Sequence, residues 1–316
     1  MKQLQLLVIL SILIGLTACK QSKDTAKVTA AIENTFLEKE AIVKTPNKKL
    51  SKAFKDYWYA GDAEITSYAL EQARYGEMRK GKAVLVFVTE PFLPEEQVKA
   101  DQSSPANIPV LKLNKTKNYL TGIYPYSIMS STFYPVYDNG HALKSSFSAQ
   151  EWCGHVYAQL NNRAEQFEFT SHSYFQGEAD QELTLNSVLL EDEIWNKIRI
   201  NPNSLPLGDI VILPSLESVR VQHQQLKAQN AQAALVQEGT TSQYSLKYAE
   251  TDRQLTITFE TAFPHQILEW EETFISGYGT NAKRMVSKAT KLKTLKSAYW
   301  RQNSNEFLSL RDSLQL

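Results

Sequence analysis

The chain has 316 residues, and its 34 basic and 34 acidic side chains give a formal net charge of +0. This balance provides no basic surface for nucleic acid, so we expect no nucleic-acid partner. Hydrophobic residues make up 42% of the chain, enough for the sizeable core of one large domain or two lobes. No cofactor-binding loop or cluster of metal ligands stands out, so we expect neither a cofactor nor a metal.

The first feature along the chain is an apolar run that follows Lys2 and ends in small residues. A helix needs about 20 apolar residues to span a bilayer, and this run is shorter. Residues 1–18 therefore read as a cleaved signal peptide, with an uncleaved membrane anchor as the alternative. Leu16-Thr17-Ala18-Cys19 resembles the lipobox of bacterial lipoproteins. The resemblance implies that Cys19 is acylated, and Lys20 after it favours the outer membrane of the cell envelope.

The next segment, residues 19–50, is polar and charged, which suits a tether between the lipid and the body. From residue 51 onward no linker rich in Gly, Pro or Ser forces a boundary, so residues 51–316 are expected to form one β-rich domain, possibly with two lobes.

The body is rich in Tyr, Phe, Trp, Val and Thr, which favour strands. Alternating apolar residues in 244–248 and 255–259 predict a hairpin. Further strands are predicted over 84–88, 108–113, 144–147, 154–160, 167–169 and 209–213.

Few helices are predicted. Candidates are 51–58, 187–198 with Ser187 as its N-cap, and 305–314. Residues 222–236 are ambiguous, and 215–221 read equally well as strand. Many strands with few short helices indicate a mainly β fold, a curved antiparallel sheet in the form of a half-barrel, a barrel or a sandwich.

Two groups of residues are candidates for catalysis. Cys153 and His155 lie two apart, which on a strand places them on one face at roughly 7 Å. A Cys–His pair needs contact at about 3 Å, so the alternative is that Cys153 is a buried small hydrophobe. Glu269 and Glu271 would also share a strand face, as paired carboxylates do in glycosidases, and the alternative is a solvated surface.

Two further stretches are candidates for binding. An aromatic segment interrupted by two prolines reads as irregular and could line a pocket for an apolar or sugar ligand, or simply pack in the core. Its candidate ligand-binding residues are Tyr119, Tyr124, Tyr126, Phe133 and Tyr134. Residues 280–305 are basic with no acidic residue, which suits anionic lipid, an exposed strand face or a protected sheet edge.

Three runs resemble a family of bacterial envelope lipoproteins whose members often carry the label "septum formation inhibitor Maf". They are 57–64 (YWYAGDAE), 87–92 (FVTEPF) and 151–154 (EWCG). The resemblance implies an envelope location and assigns no role to these residues. Maf nucleotide pyrophosphatases carry a Ser-x-Ser-Pro-Arg motif, and the nearest match here, Ser103-Ser104-Pro105-Ala106, lacks the arginine, so no nucleotide chemistry carries over.

The expected function is therefore that of an envelope-anchored lipoprotein, a binding protein rather than an enzyme. Its ligand would be an apolar molecule, a lipid or an envelope protein. The alternative is a membrane-tethered secreted hydrolase that uses the Cys153 and His155 pair or the two glutamates. A filled interior would exclude an enclosed apolar ligand and leave a surface for binding.

Overall fold

A computed structural model describes residues 50–316, except residues 103, 138–139 and 164–165. All described residues belong to one compact unit. The predicted signal peptide, Cys19 and all of the tether except Leu50 lie outside the described residues.

Strands dominate this part of the chain. They are β1 (Ala63–Arg74), β2 (Glu77–Leu93), β3 (Val98–Lys99), β4 (Ile108–Thr121), β5 (Tyr124–Pro135), β6 (Lys144–Glu151), β7 (Gly154–Arg163), β8 (Gln166–Ser173), β9 (Gln181–Asn186), β10 (Leu189–Leu190), β11 (Gly208–Leu213), β12 (Gln229–Glu238), β13 (Thr241–Tyr248), β14 (Gln254–Glu260), β15 (Ile267–Ser276) and β16 (Lys283–Ser297). The α-helices are α1 (Lys52–Trp58), α2 (Glu191–Ile200), α3 (Leu216–Val221) and α4 (Ser309–Ser313).

The described strands form one curved sheet that does not close. Its order is β10-β11-β12-β13-β14-β15-β16-β1-β2-β4-β5-β6-β7-β8-β9, and β3 pairs with β2 beside this path. All pairings are antiparallel except the short one between β10 and β11. The two end strands of the sheet, β9 and β10, are separated by only two residues of chain. The structure thus confirms the predicted mainly β class with a curved antiparallel sheet and few short helices.

Several local predictions are confirmed. β13 pairs with β14 as the predicted hairpin, with Tyr244 opposite Ile257. Helix α1 begins after Ser51, whose Oγ accepts a hydrogen bond from the backbone N–H of Phe54 at 3.0 Å. Both patterns are local, so neighbouring residues suffice to specify them.

The start of α2 differs from the prediction. Ser187 does not cap the helix, because residues 189–190 form β10 and pair with β11 instead. Leu190 takes the N-cap position without a side-chain hydrogen bond. Strand pairing therefore displaces the helix start by several residues.

In the region 215–236, the structure reverses the two sequence readings: the part that read as strand is helical, and most of the part that permitted a helix is a strand. Residues 216–221, which read as strand, form α3, whose N-cap Ser215 accepts from the backbone N–H of Ser218 at 3.2 Å. Residues 229–238 form strand β12, whose small inward-facing Ala231 and Ala233 are buried. Of the predicted helix 305–314, only Ser309–Ser313 is α-helical.

The sheet encloses helix α2. Every residue from Glu191 to Arg199 is buried, including the charged ones. Trp195 packs edge-on against Trp270 of β15 at 5.3 Å between ring centroids. On the other side, the Asn196 side-chain amide donates to the backbone carbonyl of Leu111 in β4 at 2.7 Å. The concave side of the sheet is therefore filled by a polar helix.

Candidate functional site

The structure places Cys153 in the turn between β6 and β7 and leaves it exposed. The prediction that Cys153 is a buried hydrophobe is therefore wrong, because the residue lies in a turn and not inside a strand. A hydrogen bond and the charge of Glu151 raise the pKa of the Cys153 thiol, which disfavours the thiolate needed for nucleophilic attack. His155 lies exposed on β7, and no hydrogen bond joins it to Cys153 among the described residues.

Glu269 and Glu271 do share one face of a strand, β15. Both carboxylates contact the Lys288 ammonium of β16, at 3.1 and 2.9 Å. These hydrogen bonds raise the pKa of Lys288, so the lysine stays charged and offsets one of the two negative charges. Lys288 belongs to the basic stretch, which forms β16 between β15 and β1. The prediction of a protected edge for this stretch is therefore wrong, because both sides of β16 are paired.

The candidate aromatic residues lie mostly on a regular strand, so the prediction of an irregular segment is wrong. Two prolines are accommodated near the ends of β5, where the missing N–H disturbs the sheet least. Tyr119 and Tyr126 are buried and stack on each other at 5.1 Å. Tyr124 is half-buried beside them, at 6.0 Å from Tyr126.

The other two aromatic candidates lie at the far end of β5. Phe133 packs against Phe92 at 5.3 Å. Tyr134 is buried, and its hydroxyl contacts the Lys197 ammonium of α2 at 2.8 Å. The five candidate ligand-binding residues therefore do not line a common pocket.

Ion pairs fill the interior around α2, and the sequence patterns did not indicate them. Arg199 binds Glu64 through two hydrogen bonds of 2.6 Å. Arg253 binds Glu191 in the same forked manner and reaches Glu272 at 2.8 Å. Although burial alone would raise it, the pKa of Glu64 is lowered by Arg199. In the described part of the chain, the space around α2 is therefore occupied by paired charges and aromatic rings rather than by an open apolar groove.

Glu217 of α3 completes the interior network. Its carboxylate contacts the ammonium groups of Lys117 at 2.6 Å and Lys115 at 3.1 Å. Burial opposes ionisation, yet the two lysines lower the pKa of Glu217 to about 2. One sequence signal for this network is the density of charge in α2, where Glu191, Asp192 and Glu193 stand in the first turn and Lys197 and Arg199 near the end.

Apolar side chains are exposed at one end of the strands, where several turns lie side by side. Because neighbouring strands run antiparallel, the turns after β1, β4, β6, β8 and β15 all lie at the same end of the strands, which we call the hairpin end. Ile123 is 83% exposed at the tip of the β4–β5 turn, and Trp152 is 69% exposed at the β6–β7 turn. Other large exposed apolar residues there include Leu120, Tyr174 and Tyr278. The sequence analysis did not identify Ile123, Tyr174 or Tyr278.

Aromatic contacts connect these turns. Trp152 lies 6.3 Å from Tyr124, whose ring in turn lies 6.0 Å from Tyr126. The hydroxyl of Tyr126 is 2.7 Å from that of Tyr75, at the end of β1. Tyr75 lies 6.4 Å from Tyr278 in the turn after β15. The hairpin end is therefore a row of contacting rings rather than a set of isolated residues.

No group of three His, Cys, Asp or Glu side chains among the described residues is arranged to hold a metal ion. Within the same residues, none of the helices has both the length and the apolar character to cross a bilayer. No family model, curated protein or solved structure matches the chain.

Proposed function

We propose that this chain is a lipid-anchored protein of the bacterial cell envelope that binds a lipid surface through the hairpin end and catalyses no reaction. The location rests on the lipobox-like residues before Cys19 and on the resemblance to envelope lipoproteins, and Lys20 after the cysteine makes the outer membrane the preferred site. The binding role rests on the exposed apolar residues of the hairpin end.

A filled interior supports surface binding over an enclosed apolar ligand. Helix α2 and the pairs Arg199–Glu64 and Arg253–Glu191 occupy the concave side of the sheet. A ligand carrier with a lumen would need this space. The hydrolase alternative receives no support from the described residues, because Cys153 and His155 are exposed without mutual contact and both glutamates are engaged by the Lys288 ammonium.

The chemistry of the hairpin end favours lipid over an envelope protein as the partner. Trp and Tyr side chains combine an apolar ring with a polar tip, which suits the interface between headgroups and acyl chains. Here Trp152, Tyr174 and Tyr278 accompany the aliphatic Ile123 on separate turns of the hairpin end. Separate protruding turns can enter a soft lipid surface at the same time.

The proposal is tested with the unlipidated mature chain, residues 19–316 carrying Cys19→Ala, and vesicles of uncharged phosphatidylcholine. We expect cosedimentation with the vesicles, and we expect Ile123→Asp and Trp152→Asp each to weaken it by about tenfold or more, since each removes roughly 1.5–3 kcal/mol of apolar burial. Leu207→Asp is the matched control, because Leu207 is 58% exposed at the opposite end of the sheet, before β11.

A lipid surface is rejected if the unlipidated chain does not sediment with vesicles, or if the control substitution weakens sedimentation as much as the two at the hairpin end. Binding of the chain to an envelope protein, lost on Ile123→Asp, would assign the hairpin end to a protein partner instead.

A further inference from the structure

Arg74, at the end of β1, is a buried cation without an acidic partner. It is 5% exposed. The other buried cations among the described residues each have a carboxylate within 4.0 Å; they are Lys115, Lys117, Lys197, Arg199 and Arg253. No described carboxylate lies within that distance of Arg74. Among the buried cations of the described residues, Arg74 therefore differs in having no carboxylate close enough to form an ion pair.

Neutral groups satisfy only part of the Arg74 guanidinium. Nη1 donates to the backbone carbonyl of Val221 at 2.7 Å, and Nη2 donates to the hydroxyls of Tyr75 and Tyr126 at 3.3 and 3.2 Å. A guanidinium has five N–H donors, and Nε has no partner in the described residues. Burial of an ionised group without a counterion is unfavourable, so a retained arginine here calls for an anion that the described residues do not supply.

A cavity of about 210 Å³ lies against Arg74. Tyr75, His223 and Tyr278 contribute side chains to its wall, and the end of α3 contributes Val221 and Gln222. Tyr278 lies 6.4 Å from Tyr75 and 6.1 Å from His223. The cavity is thus lined by a buried cation and by aromatic rings, and its volume suits a small polar molecule or a headgroup.

The backbone around the cavity is held in an unusual conformation. Tyr75 has φ +55° and His223 has φ +53°, both in the left-handed region that non-glycine residues seldom occupy. Backbone strain of this kind tends to concentrate at ligand sites, where surrounding structure maintains it. Two such residues line this one cavity.

The carboxylate that contacts the cavity residue His223 already has two partners. Glu178 accepts hydrogen bonds from Arg220 at 2.9 Å and from His223 at 2.7 Å. Two potential cations therefore surround one carboxylate, and Glu178 leaves no charge to balance Arg74. The side of the cavity that faces Arg74 keeps its positive charge.

From this arrangement we infer that the Arg74 cavity binds a small ligand through an oxyanion group, a phosphate or a carboxylate, with Tyr75 and Tyr278 contacting the part of the ligand next to that group. The cavity is a separate site from the lipid-binding surface proposed for the hairpin end, although Tyr75 and Tyr278 border both. Arginine suits this role because its charged hydrogen bonds to oxyanions are among the strongest in proteins.

The test uses calorimetric titration of the unlipidated mature chain with glycerol 3-phosphate and, separately, with glycerate. We expect binding of at least one of the two probes and a rise in the thermal midpoint in its presence. Arg74→Gln should weaken that binding by about tenfold or more, and Tyr278→Ala should weaken it less. Arg284→Gln is the matched control, because Arg284 is an exposed arginine that pairs with Asp252 at 3.6 Å.

Absence of binding by both probes overturns the inference, as does equal binding by Arg74→Gln and the original chain. If Arg74→Gln fails to fold, Arg74→Lys and Tyr278→Ala serve in its place, and unchanged affinity in both overturns the inference. A last comparison identifies the source of the oxyanion. If the chain binds phosphatidylglycerol vesicles more strongly than phosphatidylcholine vesicles, and Arg74→Gln removes the difference, the oxyanion belongs to a lipid headgroup. If the two kinds of vesicle bind equally and the soluble probe still binds, the ligand is soluble.

Discussion

At the scale of single residues, two buried acids show how partners decide the state of a carboxyl group. Glu217 has two lysines within 3.1 Å, which lower its pKa to about 2 despite burial. Asp192 has hydrogen bonds from the Ser145 hydroxyl and the Leu216 backbone N–H, and burial raises its pKa to about 6. Two acids with similar burial are therefore shifted in opposite directions.

The raised pKa of Asp192 predicts a pH dependence of stability. The folded protein retains a proton on Asp192 between about pH 4 and pH 6, where the unfolded chain has lost it. The folded state therefore binds more protons in that range, and this group lowers the free energy of unfolding as pH rises. The full contribution is about 3 kcal/mol, from about two pKa units.

Asp192→Asn removes this titration. Urea unfolding at several pH values measures the free energy of unfolding of both chains. The difference, Asp192→Asn minus the original chain, should rise between about pH 4 and pH 6 and stay constant at higher pH. Asp209→Asn, at the exposed start of β11, controls for the loss of one acidic group. Parallel stability curves for Asp192→Asn and the original chain across this range would contradict the assignment.

At the scale of elements, one ion pair joins the end of α2 to the start of β1. Arg199 and Glu64 are each about 1% exposed and bind through two hydrogen bonds of 2.6 Å. Arg199 also lies over the rings of Trp58 and Phe87, at 4.9 and 4.7 Å from their centroids. The pair therefore fixes where α2 sits against the sheet and where α1 packs.

Loss of one partner should cost more than loss of both. Glu64→Gln and Arg199→Met should each lower the free energy of unfolding by about 3–5 kcal/mol, because each leaves a buried group uncompensated. The double variant Glu64→Gln/Arg199→Met should cost less than the sum of the single changes. Chemical denaturation of the singles and the double measures this, and strict additivity would mean that the two groups act independently.

The elements also show where sequence patterns stop being informative. Alternation predicts the β13–β14 hairpin because the pairing partners are close along the chain. Residues 216–221 read as strand and form α3, because burial of Leu216, Glu217 and Ser218 against the interior overrides their weak local preference. Lys115 and Lys117 on β4 supply the partners of Glu217, and nothing near Glu217 in the sequence indicates them.

At the scale of the whole molecule, the acyl chains on Cys19 should account for most of the membrane attachment, with the hairpin end as a second and weaker contact. Cys19→Ala should abolish acylation, so the membrane-bound share of the chain in detergent-free extracts should fall to what the hairpin end alone retains, while the body remains folded. The control is the same chain behind a cleavable signal peptide that carries no lipobox, which excludes anchoring by uncleaved residues 1–18. Recovery of this control in the membrane fraction at the original level would show that the hairpin end, the basic strand β16 or a partner holds the protein.

The sequence by itself determined the strand-rich class, the hairpin of β13 and β14 and the cap of α1, because periodicity and capping depend on residues close together in the chain. The sequence also provides the prediction of an envelope location, which rests on the lipobox-like residues before Cys19. Only the tertiary structure decided which distant residues meet. β1 pairs with β16 across more than 200 residues, α2 places Arg199 against Glu64, and separate turns bring Ile123, Trp152 and Tyr278 to the hairpin end. These contacts depend on the pairing order of the whole sheet, which no local pattern specifies.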